Sequence, residues 1–384
     1  MPKRGSVPAH CWSLPDLIQS PSILLTVFAF LLMIGPLIVI HELGHYWAGR
    51  LCGVRALTFS VGFGKELWHR IDKRGTRWRI AAFPLGGFVQ FAGDADASSR
   101  PDPSLDGASR DQLKGTLPGA KLWQKAFISF AGPLANLVVA VLIYAGFALA
   151  LGVPQTAPIV GRFAENSAAQ AAGIQLGDRI IAIDGQQIDD FADIVPRVIL
   201  YPDRTVEIEL DRAGRTLLIP VKIARFEGKD EFGNKQERGL LGVGPDRSEV
   251  LRIGPLSAVG YGISASYERL IMTGVGLGQI VTGERSVGDL SGLPRTAKAS
   301  GERLTLGWLP FIDLIGVFSI NLAFINLLPI PTLDGGHLAM YAAEAVRRKP
   351  LGIRSQEWAF RIGLGFVLAL AVFVNMNDLI QLFL

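Results

Sequence analysis

The segment His41-Glu42-Leu43-Gly44-His45 places two imidazoles and a carboxylate within about one helical turn. Positions i and i+4 of a helix share a face, so both imidazoles can reach one Zn²⁺ while Glu42 lies beside the open coordination position. This spacing is typical of hydrolytic zinc sites. A catalytic zinc of this type takes three protein ligands and keeps a fourth position for water, so a third ligand must come from elsewhere in the chain.

A carboxylate near the C-terminus is the candidate for that third ligand. Asp334 follows Pro329 and Pro331, which break a helix, and it precedes the pair Gly335-Gly336. Prolines and glycines leave backbone N–H and C=O groups without partners inside the helix. Such groups are tolerated at membrane depth only beside protein or a water-filled cavity. Peptide hydrolysis needs such a cavity. His337, three residues beyond Asp334, is a rival ligand.

The composition indicates a membrane protein. Hydrophobic residues make up 49%, charged residues 19%, and the mean hydropathy is +0.33, against roughly 25% charged in a soluble domain. A chain this apolar can bury enough surface to fold, which excludes general disorder. Cys11 and Cys52 flank an apolar stretch long enough to separate them across a bilayer, so a disulfide scaffold is excluded. The net charge of +4 does not indicate nucleic acid, because the basic residues lie beside apolar segments.

Four apolar segments are long enough to span a hydrocarbon core of roughly 30 Å. They are residues 23–40, 126–151, 306–330 and 362–376, the last extended by the apolar tail. A signal peptide is the alternative for the first, but this run is long and shows no cleavage site. Glu42 and its two histidines end that span, where charge is costly and indicates a functional site; a snorkelling surface cluster is the alternative. Asp313 lies roughly 30 Å from Asp334 along a helix and cannot bind the same metal.

The distribution of Lys and Arg predicts the orientation, because positive loops stay in the cytoplasm. Residues 50–125 carry thirteen Lys and Arg, and a second cluster, residues 347–354, lies between the third and fourth spans. Both loops should be inside, which places both termini outside. Lys3 and Arg4 argue weakly for the opposite orientation.

The roughly 150 residues between the second and third spans have soluble composition and should lie outside. Strand patterns at 179–183, 206–210 and 217–223 are separated by turn signals. Together with the small-residue stretch 167–173, they resemble a circularly permuted bacterial PDZ domain over residues 156–225. Such a domain captures an extended peptide or a new C-terminus by strand addition. An unrelated β-rich domain is the alternative.

A β-hairpin is predicted between the first two spans, on the zinc side of the membrane. Lys73-Arg74-Gly75 is a turn signal, Trp78, Ile80 and Ala82 alternate, and residues 84–91 add a second apolar strand. A polypeptide that is helical at membrane depth hides its carbonyls, so hydrolysis there requires that the chain be held extended. We expect residues 86–91 to leave an open strand edge that pairs with unwound substrate. The residues expected to bind it are Gly86, Gly87, Phe88 and Val89. An amphipathic hairpin that only rests on lipid is the alternative.

These motifs together resemble the site-2 protease family of intramembrane zinc metalloproteases, in its bacterial RseP-like branch. Besides the first motif and Leu333-Asp334-Gly335, the resemblance is carried by the segments 52–55, 59–65, 84–89, 131–136 and 326–329. It implies one Zn²⁺ per chain, held by His41, His45 and Asp334, with Glu42 as general base. It also implies that Asn326 and Pro329 position the substrate, and that transmembrane segments are cut on the cytoplasmic side after a first protease has acted.

Two departures from that branch affect its implications. Only one PDZ domain is found where the branch has a tandem pair. The size-filter role attributed to that pair therefore does not transfer directly to this chain. The segment Ser291-Gly292-Leu293-Pro294 stands where the family more often has Gly-Pro-Ile, and its role is open. No family counterpart is found for the N-terminal extension.

The predicted fold is a polytopic α-helical membrane protein with about four transmembrane helices, a membrane-associated β-hairpin or sheet and one extracytoplasmic PDZ-like α+β domain. Its parts are an extension (1–20), the first helix (21–50), a cytoplasmic loop with the hairpin (51–122), the second helix (123–152), the PDZ domain (156–225), an extracytoplasmic connection (226–304), the third segment (305–340), a cytoplasmic loop (341–359) and the fourth helix (360–384).

The predicted function is intramembrane zinc proteolysis in a bacterial inner membrane, on single-span substrates such as an anti-sigma factor or signal-peptide remnants. The partners are those substrates, the lipid bilayer and a peptide at the PDZ domain, with no nucleic acid. A metal-ion transporter is one alternative, although transport needs polar residues along a whole route and this sequence concentrates them at one depth. A non-catalytic PDZ scaffold is the other, although it has no use for Glu42.

Overall fold

The computed structural model describes residues 21–96, 102–105, 108–109, 111–229, 235–246, 249–284, 287–349 and 351–383. The expected N-terminal extension, with Cys11, lies outside these residues. The described helices are α1 Ile23–Leu51, α2 Leu122–Leu151, α3 Ala168–Ala171, α4 Ile194–Val198, α5 Pro255–Thr282, α6 Leu293–Thr305, α7 Trp308–Leu327, α8 Asp334–Arg347 and α9 Ile353–Phe383. The described strands are β1 Ala56–Ile71, β2 Arg77–Phe91, β3 Val153–Gln155, β4 Val160–Phe163, β5 Arg179–Ile183, β6 Gln186–Gln187, β7 Thr205–Arg212, β8 Arg215–Lys222, β9 Ala224–Lys229, β10 Lys235–Leu240, β11 Val243–Pro245 and β12 Glu249–Leu251.

Four of these helices are long and apolar enough to cross a membrane, as the sequence predicted. They are α1, α2, α7 and residues Arg354–Ile380 of α9. The helix α1 continues past the end of its uncharged run at Ile40, so the His41 motif lies inside the helix and not at its end. The fourth helix begins at Ile353, seven residues before the predicted range 360–384, and is the most peripheral, since only 6% of its apolar window is buried.

Small residues let the spans pack closely around α2. A Cβ at Gly44 of α1 would overlap the carbonyl oxygen of Ala131 in α2. On another face of α2, the Ser319 hydroxyl of α7 donates a 2.7 Å hydrogen bond to the Asn136 carbonyl oxygen. Small residues and interhelical hydrogen bonds are the usual means of helix association in lipid. The helix α2 therefore packs against both α1, which carries His41 and His45, and α7, which precedes Asp334 in the chain.

The strands β1 and β2 form one long antiparallel hairpin, from the pair Ala56 and Phe91 to the pair Ile71 and Arg77, with its turn at the predicted position. The hairpin also folds back on itself, because residues 58–61 pair with 77–80 as well as with 87–90. The sequence analysis assigned no strand to 58–61. Among the described residues, 87–91 pairs with a strand on one side only, so this segment is an edge.

Residues 153–251 form the β-rich region between α2 and α5. The predicted strands correspond to β5, β7 and β8, which lie in a sheet of order β6-β5-β7-β8. The region does not end at residue 225 as expected, because β11 pairs with β4 and β12 pairs with β3. Leu241 also belongs to the same buried core, which contains Ile180, Ile183, Ile208, Leu210 and Ile223.

The expected connection 226–304 contains two helices that the sequence analysis did not assign. The helix α5 packs along α2 and α7, and Arg269 on α5 lies 3.7 Å from Asp313 on α7. The Thr273 hydroxyl donates to Oδ1 of Asn321 at 3.1 Å. Before α6, the backbone N–H of Gly292 donates to Asp378 of α9 at 2.7 Å. The part of the connection from α5 onwards therefore belongs to the helical bundle, whereas its first part belongs to the β-rich region.

Candidate metal centre

Three side chains from two distant parts of the chain converge inside the bundle. Nε2 of His41 lies 3.1 Å from Oδ2 of Asp334, and Nε2 of His45 lies 3.4 Å from Oδ1 of the same carboxylate. The two Nε2 atoms are 3.2 Å apart. The three potential ligand atoms lie within 4.8 Å of one another, which is the arrangement that one metal ion requires. The helix α1 supplies both imidazoles, and the first residue of α8 supplies the carboxylate.

The hydrogen bond of His45 shows which of its ring nitrogens faces the centre as an acceptor. Nδ1 of His45 lies 2.8 Å from the carbonyl oxygen of Ile128. A carbonyl only accepts, so Nδ1 carries the hydrogen and Nε2 keeps its lone pair. That lone pair points towards the carboxylate and the second imidazole. Lone pairs and a carboxylate that converge in this way repel one another unless a cation lies between them.

The packing of α2 against the two histidines leaves room for a metal ion only because residue 132 has no side chain. A Cβ at Gly132 would lie 2.8 Å from Nε2 of His41 and still closer to Nε2 of His45. Two imidazoles, one carboxylate and this cradle fit a Zn²⁺ ion, whose catalytic sites use three nitrogen or oxygen ligands.

Glu42 and the strand edge face the same cavity, of about 470 Å³. A Cβ at Gly87 would stand 3.1 Å from Cγ of Glu42, and the Glu42 carboxylate accepts a hydrogen bond from the backbone N–H of Val89. The cavity also contains the three converging side chains, with Phe63, Phe88, Phe91, Asn326 and His337. A polypeptide in this cavity would therefore lie beside the edge, the carboxylate and the candidate ligands together.

The structure brings most of the predicted site residues together, with two exceptions. Gly87, Phe88, Val89 and Asn326 line the cavity. Pro329 is not a lining residue, and its side chain is exposed after the end of α7.

Gly86 also lies off the cavity lining, although it has a structural requirement. Its φ is +126°, and a Cβ there would overlap the ring of Phe63. The rival ligand His337 lines the cavity but is not in the converging group, and Asp313 is also outside that group and lies 3.7 Å from Arg269 of α5.

Two residues near the metal centre received no role from the sequence. Gly132 cradles both imidazoles, and Asn136 places its side-chain Nδ2 3.2 Å from Nδ1 of His41. Both lie in the segment 131–136 that helped to carry the family resemblance. An uncharged amide within an apolar span was the available signal, because a buried amide needs a partner.

A buried acid lies at the end of the edge strand. Oδ2 of Asp94 accepts a 2.8 Å hydrogen bond from the backbone N–H of Phe91, while its Oδ1 has no partner among the described residues. Burial raises the pKa of Asp94 to about 7 from its usual value of 3.8. The Asp94 carboxylate therefore accepts from the last N–H of the strand edge, that of Phe91, and makes it unavailable to another strand.

Apolar spanning helices around a His-His-Asp centre with an adjacent glutamate define a membrane-embedded metallohydrolase. The comparisons with known proteins agree: the chain belongs to peptidase family M50, whose profile matches residues 29–370. It is 42% identical, over 93% of its length and 96% of the relative, to a protein of Agrobacterium fabrum named as a zinc metalloprotease. It is 34% identical to metalloprotease MmpA of Caulobacter vibrioides, over 93% of this chain and 96% of that protein.

Family membership separates the three classes of function that the sequence left open. The protein is a zinc metalloendopeptidase of the site-2 protease type and a multi-pass membrane protein. The transporter and the non-catalytic scaffold are therefore discarded. The lipid bilayer and membrane proteins are its partners in general terms.

Proposed function

We propose that this protein cleaves transmembrane segments of single-span proteins within the bilayer of a bacterial inner membrane. The observation that carries the proposal is the position of the metal centre: His41, His45 and Asp334 converge beside Glu42, inside apolar helices and on a cavity that also contains a strand edge. A soluble peptidase needs no apolar helices around its site. A peptidase whose substrate lies in lipid does need them.

In the proposed mechanism, His41, His45 and Asp334 hold the metal and Glu42 is the general base. When bound, Zn²⁺ supplies a Lewis acid that polarises a carbonyl and acidifies water. Glu42 takes a proton from the attacking water and delivers it to the leaving nitrogen. The Val89 N–H, which donates to the Glu42 carboxylate, holds this carboxylate towards the cavity.

The strand edge 87–91 holds the substrate extended in this proposal. Residues 87, 89 and 91 direct their backbone groups away from 58–61, because these groups alternate in direction along a strand. The N–H groups of Val89 and Phe91 already have acceptors, Glu42 and Asp94. The Phe91 carbonyl oxygen already accepts a 3.1 Å hydrogen bond from the Asp94 N–H. Pairing with substrate therefore uses the carbonyls of Gly87 and Val89 and the N–H of Gly87, whose missing side chain permits a close approach.

The β-rich region, in the proposal, is a PDZ domain that selects substrates outside the membrane. Its strands follow the predicted pattern and run on to Leu251. Strand addition would let it capture an extended chain or a new C-terminus. The substrates would then be products of a first cut, such as an anti-sigma factor or signal-peptide remnants. Thirteen Lys and Arg in residues 50–125 support a position of the active site near the cytoplasmic face.

The substitution Glu42→Gln tests the chemistry. Purified wild-type protein should contain one zinc ion per chain and cleave a model transmembrane substrate. The Gln variant should keep the metal and lose cleavage, because an amide cannot take the proton. Undiminished cleavage in the variant would refute the role of Glu42 as general base, and loss of zinc would show that Glu42 is a ligand. Wild-type protein without zinc or cleavage would refute the proposed function itself.

Cross-linking tests the strand edge in a Glu42→Gln protein whose cysteines are both replaced by serine. Phe88→Cys lies on the edge, and Ile71→Cys, which is 62% exposed on the far side of the hairpin, is the matched control. A scan of substrate cysteines against Phe88→Cys should cross-link with a period of two residues, as in a paired strand. A uniform or absent pattern at position 88 would contradict strand pairing.

A further inference from the structure

Asn136 of α2 contacts the outer ring nitrogen of His41. Its Nδ2 lies 3.2 Å from Nδ1 of His41, and no part of Asn136 is exposed. The other amide atom, Oδ1, is buried and has no hydrogen-bond partner among the described residues. The amide therefore has one polar atom against the imidazole and the other unsatisfied.

The position of Asp334 decides which nitrogen of His41 carries the hydrogen. Nε2 of His41 faces the Asp334 carboxylate and the second imidazole, so it must keep its lone pair to bind a cation. A neutral imidazole has one N–H, which is then at Nδ1. Both Nδ1–H and the amide Nδ2 are donors and cannot bond to each other, whereas Oδ1 is an acceptor.

We infer that Asn136 is a positioning residue for the metal: its Oδ1 accepts a hydrogen bond from the Nδ1–H of His41 and so fixes the tautomer and ring orientation that leave Nε2 free. Amide oxygen and nitrogen are assigned from the hydrogen-bond network. Exchanging the two atoms of Asn136 gives the Nδ1–H of His41 an acceptor and gives Oδ1 a donor. The inference rests on the proposed function, in which His41 is a ligand.

The helix α2 supplies the equivalent acceptor to the second imidazole. The carbonyl oxygen of Ile128 lies 2.8 Å from Nδ1 of His45. One acceptor is thus a backbone group, which substitution cannot remove, and the other is a side chain, which it can. The Ser319 hydroxyl holds the Asn136 backbone from the side of α7. Partners of this kind orient metal-binding histidines and raise their basicity.

The test compares Asn136→Leu and Asn136→Asp, with Asn321→Leu as the matched control. Leu keeps the volume and removes the acceptor, while Asp keeps an acceptor. Asn321 is also an amide within a span, but its partner is the Thr273 hydroxyl. Zinc affinity is measured by chelator competition on purified apo-protein, and the thermal midpoint of each apo-protein is recorded.

Asn136→Leu should bind zinc about 10- to 100-fold more weakly than wild type, while Asn136→Asp and Asn321→Leu should stay within a few-fold of wild type. Unchanged zinc affinity in Asn136→Leu would overturn the inference. So would equal losses in the Leu and Asp variants, because packing alone would then explain both. Wild-type protein that binds no zinc would instead refute the proposed function.

Discussion

Gly132 and His45 lie so close together that no other residue fits at position 132. A Cβ on Gly132 would be 2.6 Å from Cε1 of His45 and would overlap its Nε2. Carbon atoms that are not bonded to each other pack at about 3.5–4.0 Å. The space beside the imidazoles therefore depends on the absence of one methyl group in α2.

The substitution Gly132→Ala should abolish zinc binding and cleavage, because the methyl group displaces both imidazoles. Gly146→Ala is the matched control in the same helix, since a Cβ there meets nothing within 4 Å. Zinc content per chain, measured by mass spectrometry on purified protein, checks both variants. A full zinc complement in Gly132→Ala would mean that α2 shifts freely against α1.

The proposed cytoplasmic position of residues 50–125 predicts that Cys52, at the end of α1, is protected from an impermeant thiol reagent added to intact cells. The protein for this test carries Cys11→Ser. A permeant reagent should label the same thiol. The control places Glu165→Cys, exposed in the β-rich region, in a chain with neither native cysteine, and this residue should label readily. Labelling of Cys52 by the impermeant reagent would show that the orientation is the opposite of the proposed one.

The β-rich region can be replaced at its base, at the loss of a 2.8 Å hydrogen bond that Gln279 of α5 donates to the Leu200 carbonyl oxygen. The strands β3 and β12 pair at its base, from Val153 with Leu251 to Gln155 with Glu249. Replacing residues 156–248 by a two-residue Asn-Gly turn keeps this pair. The variant should bind zinc and cleave intact membrane proteins as readily as truncated ones. If it folds, binds zinc and cleaves nothing, the region is part of the catalytic machinery.

Burial of Asp94 predicts a pH-dependent stability. The pKa of Asp94 is about 7 in the folded protein and near 3.8 when exposed, so the folded state holds the proton more tightly. The stabilisation that Asp94 contributes is then fully present below about pH 4 and is lost as the pH rises through about 7. Asp94→Asn removes the ionisation and keeps an acceptor for Phe91, so it should raise stability at pH 8, by at most about 4 kcal/mol.

Thermal midpoints in detergent at pH 8 and pH 4.5 check this expectation. The difference between Asp94→Asn and wild type should be largest at pH 8 and small at pH 4.5. Asp111→Asn is the control, because its side chain is 84% exposed and should change little at either pH. An equal difference at both pH values would show that Asp94 does not titrate on unfolding.

The substitution Val89→Pro would remove a backbone donor from the strand edge, but it is not a clean test of that edge. Val89 is only 5% exposed and packs with Tyr46, Phe59 and Phe91 in one buried cluster. Its N–H also donates to Glu42. Proline at this position would therefore disturb the core and the proposed base together, whatever the substrate does.

The sequence by itself predicted the four spans and the converging side chains. Long uncharged runs can only be helices in lipid, where every backbone group must bond within its own segment. The i, i+4 spacing of His41 and His45 places both on one helix face. The carboxylate of Asp334, after two prolines, was the candidate third ligand, with His337 as its rival. These features are local, so a linear pattern contains them.

Only the tertiary structure decided how the remaining chain surrounds that centre. The return of the hairpin onto residues 58–61, the packing of α5 along α2 and the extension of the β-rich region to Leu251 depend on contacts between distant residues. The same holds for Gly132 and Asn136, whose roles come from the closeness of α2 to α1. A glycine and an amide are chemically unremarkable until a neighbouring helix is packed against them, and packing is a property of the whole fold.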